Sequence, residues 1–112
     1  GLIGPNRHPV RFLSGRELEN GEHPVNLVQL TDIIEAVKTI ISANKTNVTY
    51  NISAPEHPTK KAYYTQMAYE MSLAPPVYFA KTDSNGKVVD GSKITKELNF
   101  NYKVSIYSVS KD

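Results

Sequence analysis

Cysteine is absent from all 112 residues. That excludes disulfide scaffolds, thiolate metal sites and cysteine nucleophiles together, and it fits a reducing compartment. Long apolar runs are missing too. None approaches the roughly 18 residues needed to span a bilayer, and no signal peptide is visible, so no membrane association and a cytoplasmic location are expected. A dominant charge is lacking as well: 13 basic and 11 acidic residues leave a net charge of +2. The basic residues are dispersed, with Lys60-Lys61 the one adjacent pair inside an element. No aromatic-interleaved basic stripe exists, so nucleic acid is not an expected partner.

What remains is a chain with modest means for a core. Hydrophobic residues make up 39% and the mean hydropathy is −0.40. The length allows one domain, residues 1–112, or part of one. A domain of this size is marginal unless it buries a face against something else.

Residues 1–24 are punctuated by Pro5, Pro9, Gly15, Gly21 and Pro24 and read as an irregular loop with a short helix near Arg11 to Ser14. Val25 to Leu30 is a β-branched apolar run of strand length. Asp32 and Glu35 have the spacing of a capping box, and Ile33, Ile34, Val37, Ile40 and Ile41 follow at helical intervals. Val48 to Ser53 reads as a strand stopped by Ala54-Pro55. A second helix is predicted from Thr59 to about Leu73, with Tyr64, Met67, Ala68 and Met71 on its core face. After Pro75-Pro76, Val77 to Lys81 and Lys87 to Asp90 read as short strands around an Asp83-Ser84-Asn85-Gly86 turn. A third helix is predicted over Lys93 to Leu98, N-capped by Ser92 and closed by a left-handed Asn99. The tail from Tyr102 is expected to be extended or frayed.

This order carries a resemblance. Gly1-Leu2-Ile3-Gly4-Pro5, Val25-Asn26-Leu27-Val28-Gln29-Leu30-Thr31-Asp32, Thr49-Tyr50-Asn51-Ile52, and Asp90-Gly91-Ser92-Lys93 with Leu98-Asn99-Phe100 occur in sequence at family-like spacing. Together they resemble the C-terminal, substrate-binding portion of the extended short-chain dehydrogenases, the NAD(P)-dependent sugar-nucleotide epimerase/dehydratase family. The resemblance implies a mixed α/β lobe of about three helices and four to five short strands. It also implies a missing N-terminal half that holds NAD or NADP at a Gly-rich turn and supplies a Tyr-x-x-x-Lys pair. No such glycine turn occurs here, and the chain opens without an initiator Met. Tyr107 and Lys111 spell the Tyr-x-x-x-Lys pattern, but they follow the last family motif instead of preceding the first, so no catalytic residue is assigned.

The family places substrate against the loop after the Gly-Pro turn and against the following strand. That makes Arg7, His8, Arg11 and Asn26 the candidate substrate-binding residues. The guanidinium forks suit an anionic or polyhydroxyl, sugar-like small molecule. Where the family commonly has a phosphate-binding Arg and a His, this chain has Val25 and Gln29, which implies a smaller or differently anchored ligand. His23 and His57 sit in Pro-flanked loops without metal-ligand spacing, so no metal is expected. Three sequons at Asn44, Asn47 and Asn51 are read as incidental to an Asn-rich turn and strand.

The expected partners are therefore the chain's own dinucleotide-binding half and a small-molecule substrate. The isolated piece is expected to lack catalysis and to self-associate through an uncovered strand edge and apolar face. Two alternatives use the same fold: a non-enzymatic interaction module, and a regulatory protein that senses dinucleotide without turnover.

Overall fold

A computed structural model of the protein describes residues 1–79 and 86–109. Its elements in chain order are β1 (Leu2–Ile3), α1 (Val10–Leu13), β2 (Glu17–Leu18), β3 (Val28–Gln29), α2 (Leu30–Ser42), α3 (Lys60–Glu70), β4 (Val77–Tyr78) and α4 (Lys93–Leu98). The mixed α/β class expected from the sequence is the one observed. The chain divides into two compact units, each assembled from separated stretches. None of the helices among the described residues is long and apolar enough to cross a membrane.

The first unit comprises Gly1–Asn6, Asn26–Glu56 and Val89–Asp112. Here β1 and β3 run parallel, with Leu2 opposite Val28 and Ile3 opposite Gln29. Residues 1–24 are thus not wholly irregular, because a two-residue strand has too few positions to display a period. The run from Val25 supplies only two ladder residues before Leu30 opens α2. Ala36 of α2, Ile94 of α4 and Phe100 form the buried cluster, with Ile40, Tyr50, Ile52, Leu98 and Tyr102 packed around it.

The capping box at Asp32 and Glu35 does not form. Gln29 occupies the N-cap position without a side-chain bond, and Asp32 lies buried within the first turn. Its carboxylate instead accepts the backbone N–H of Lys103 at 3.1 and 3.2 Å and that of Val104 at 3.1 Å. Glu35 turns outward to Lys38 at 3.5 Å. A long-range pair of orphan donors has outcompeted the local ones.

The same clamp corrects the expected fraying of the tail. The Gln29 side-chain amide donates to the carbonyls of Ser105 and Ser108. Glu56 accepts from the Ser105 hydroxyl and the Ile106 amide, and Ile106 is fully buried. The last three residues lie outside the described set. The expected strand at Val48 to Ser53 is likewise not formed, nor is one at Lys87 to Asp90. Backbone donors there are used otherwise: the Ala54 N–H, just past the first run, reaches the Leu27 carbonyl, and the Val89 N–H reaches the Asn26 side chain.

The third helix and its left-handed stop are as expected: Asn99 has φ 56° and its N–H returns to the Thr95 carbonyl. Ser92 holds the N-cap position, but its hydroxyl makes no cap bond. Asparagine serves this role repeatedly. Of six non-glycine residues with positive φ among those described, five are Asn6, Asn20, Asn44, Asn47 and Asn99. Two of the three sequon asparagines therefore have a backbone role in turns.

The second unit comprises Arg7–Val25 and His57–Val88. Its helix α3 is shorter than predicted, with Thr59 as N-cap accepting from the Ala62 amide. The remaining first-turn donors find loop carbonyls: Lys60 N–H reaches His23 and Lys61 N–H reaches Gly21. Tyr63, Tyr64, Met67 and Ala68 are buried, so Tyr63 joins the predicted face, while Met71 falls just past the helix and is half-buried. β2 and β4 pair in parallel, Glu17 opposite Val77 and Leu18 opposite Tyr78. Beyond Phe79, the predicted strand and most of the Asp83–Gly86 turn lie outside the described residues.

Candidate functional site

The four candidate residues fall in different units: Arg7, His8 and Arg11 in the second, Asn26 in the first. Pro9 opens α1, a single helical turn whose Val10 is fully buried and anchors it. That anchoring leaves Arg11 and the 80%-exposed Phe12 facing solvent, and Arg7 is exposed immediately before the turn. Both guanidinium groups are thus placed where an anionic or hydroxyl-rich ligand can reach them.

His8 is differently employed. Its Nδ1 accepts the Val10 N–H at 3.1 Å, which puts the ring proton on Nε2, where it is donated to the Tyr63 hydroxyl at 2.7 Å. The ring stacks on Tyr63, with centroids 5.6 Å apart, and meets Tyr64 edge-on at 6.3 Å. Burial is the main cause that lowers its pKa, with the Arg11 charge adding to it. His8 is therefore a neutral strut that holds α1, and both its ring nitrogens are engaged. Nothing local in the sequence marked Tyr63 as its partner; the two are 55 positions apart.

Asn26 is half-buried, and its side-chain carbonyl accepts the Val89 N–H at 2.7 Å. Its backbone carbonyl accepts a hydrogen bond from the Gly1 nitrogen at 2.6 Å. The residue ties three stretches of its unit together. Gln29, at the position where the resembled family has His, is also structural: one amide nitrogen donates to two carbonyls of the tail.

The buried phenols do not provide a base near neutrality. Burial raises the Tyr64 pKa, and burial together with Tyr64 pushes Tyr78 up to about 12. Of the Tyr-x-x-x-Lys pattern in the tail, Tyr107 is half-buried and Lys111 lies outside the described residues. An open recess of about 540 Å³ runs along α3 beside Lys61, Thr65 and Tyr69, and none of the four candidates lines it. Among the described residues, no group of three or more potential ligands is placed to hold a metal ion.

No known family model matches the chain. It is 47% identical over 104 residues to protein YeeZ of Escherichia coli K12, a match spanning 92% of this chain and 38% of that protein. The chain thus covers well under half the length of the curated relatives it matches. Among solved structures it resembles a conserved protein of unknown function from Silicibacter pomeroyi, with TM-score 0.73 and 20% identity, over 96% of this chain and 43% of that one. It also resembles DesIV, a dTDP-glucose 4,6-dehydratase of Streptomyces venezuelae solved with NAD and TYD. There the TM-score is 0.67 and identity 21%, over 95% of this chain and 38% of DesIV. The fold is that of the C-terminal part of Rossmann-like epimerase/dehydratases.

Proposed function

We propose that the chain is the substrate-binding lobe of an NAD(P)-dependent epimerase/dehydratase-like oxidoreductase or isomerase of the extended short-chain dehydrogenase type, acting in the cytoplasm. The observation that carries this reading is the fold likeness to DesIV over nearly the whole chain, together with the much greater length of the protein to which it is 47% identical.

The described residues do not fit a dinucleotide. Helix α2 leaves directly from an extended Gln29, φ −74° and ψ 144°, with no glycine in the turn that would let a pyrophosphate approach the backbone. NAD or NADP is therefore held by sequence outside these 112 residues, and hydride chemistry belongs there. What this chain contributes is binding and orientation. Arg7 and Arg11 receive the anionic or hydroxyl-bearing part of a sugar-like substrate, and His8 keeps α1, hence Arg11, in place through the Val10 amide. Asn26 acts by shaping its unit through Val89. The reading implies that the isolated chain is inactive, because the family's glycine turn does not occur in it and its one Tyr-x-x-x-Lys pattern follows the last family motif.

The test is a thermal-shift titration with NAD(H). The isolated chain gives no saturable shift, whereas the chain joined to its dinucleotide-binding half does. A saturable shift of the isolated chain overturns the reading.

A further inference from the structure

The outward side of α3 carries large and small side chains, and opposite charges, at matching distances from its middle. The buried Tyr63, Tyr64, Met67 and Ala68 take the inner side. Outside, two adjacent i, i+4 rows, Lys61–Thr65–Tyr69 and Ala62–Gln66–Glu70, line the open recess of about 540 Å³. At roughly 100° per residue the two rows cover about half of the helix circumference and about 14 Å of its length. The Tyr69 side chain is largely bare, the residue being 73% exposed, while Ala62 and Thr65 beside it are small. Lys61 closes one end of the patch and Glu70 the other. Neither is in an ion pair among the described residues, and Glu70 accepts a 3.4 Å bond from the Gln66 amide.

From this arrangement we propose that the outer face of α3 is a self-recognition surface that pairs two copies of the chain about a two-fold axis. A half-turn exchanges the ends of the patch, so each Lys61 meets the Glu70 of the other copy and both contacts form at once. Lys61 and Glu70 stand about 180° apart around the helix, at its two flanks. They meet only if the helices cross obliquely, and the crossing of about 50° that aligns i±4 rows brings them together. The same crossing lays each Tyr69 ring over the other copy's Thr65 and each Gln66 over its Ala62, large side chains on small ones. A foreign partner requires only a complement to the patch. A patch whose charges and sizes are exchanged by a half-turn is complementary to itself, and that selects a second copy as the occupant. One face of an 11-residue helix offers less than the roughly 800 Å² per partner of a stable complex, so the pairing is weak and forms at high micromolar concentration.

Sedimentation equilibrium of the 112-residue chain, from about 10 µM to about 1 mM, measures the pairing. Lys61→Glu and Glu70→Lys each place two like-charge contacts across the axis and should each weaken it at least about 10-fold. Mixed in equal amounts, the two variants restore opposite charges at both contacts, and the mixture should associate within about 3-fold of the parent. The double variant, which swaps the pair inside one chain, should self-associate like the parent. Both side chains are exposed, so circular dichroism and melting should match the parent in every sample. A chain that stays monomeric up to about 1 mM overturns the inference. So does association that neither single variant weakens, which assigns the contact to another surface. Weakening that the mixture fails to reverse removes Lys61 and Glu70 from the contact and overturns it as well.

Discussion

Replacing Asp32 by Asn separates two roles a carboxylate can have at a helix start. As a cap, Asp and Asn are nearly equivalent, and the exchange would cost next to nothing. In the structure the carboxylate is buried and holds two backbone amides, with Oδ2 accepting from Lys103 and Val104 and Oδ1 accepting a second time from Lys103. An Asn whose carbonyl takes the Oδ2 place keeps two neutral bonds but turns an NH2 group toward the Lys103 N–H. Bonds to a charged acceptor contribute about 1.5–3 kcal/mol each and neutral ones about half of that, so the exchange should cost about 2 kcal/mol. For a chain of this size that is roughly 8 °C in Tm, or a clear shift of the urea midpoint at constant m-value. Glu35→Gln, on the exposed side of the same turn, should stay within about 0.5 kcal/mol of the parent. If Asp32→Asn proves neutral, or Glu35→Gln costs as much, the tail clamp is not what Asp32 does and the capping box is reinstated.

Other outcomes follow from the same geometry. Because the folded-state pKa of His8 is lowered by burial and then by Arg11, the unfolded chain takes up the proton first. Stability should be at its full value above about pH 6.5 and decline as the pH falls through that value toward the lower folded one. His8→Gln should reduce this slope in urea melts at pH 7.5 and 5.0, and an unchanged slope would count against the strut. Gly91→Ala places a Cβ against the Ser53 backbone and 2.6 Å from the Tyr102 hydroxyl, so it should cost about 1–3 kcal/mol by thermal melting. Tyr102→Phe, which loses the bonds to Gly91 and Ser53, should cost about 1 kcal/mol. At the left-handed Asn99, exchange for Ala should destabilise by about 1 kcal/mol while Gly is neutral or better, and equal melting of the two would refute the strain argument.

Legibility in the sequence tracked the range of the interactions concerned. The Lys93–Leu98 helix, its Asn99 stop, the Thr59 start of the helix before Pro75, and the core positions Tyr64, Met67 and Ala68 were all readable, because caps and helical periods act within a turn or two. The mixed α/β class followed from the order of such elements and of the family-like motifs.

What tertiary structure alone decided were the choices between competing partners. Asp32 could have capped its own helix, yet it lies 71 positions from the amide it holds. His8 could have faced a ligand, yet its two nitrogens are engaged by Val10 and Tyr63. The run at Val48 to Ser53 has every local mark of a strand, but strand structure is a property of a pair, and here the Ser53 N–H goes to the Tyr102 hydroxyl instead of to a ladder. Residue type sets which hydrogen bonds and contacts a group can make. Which it does make depends on what the fold brings within reach, and that is settled by the burial of Ile3, Val10, Tyr63, Met67, Ile94 and Ile106 across distant stretches of each unit.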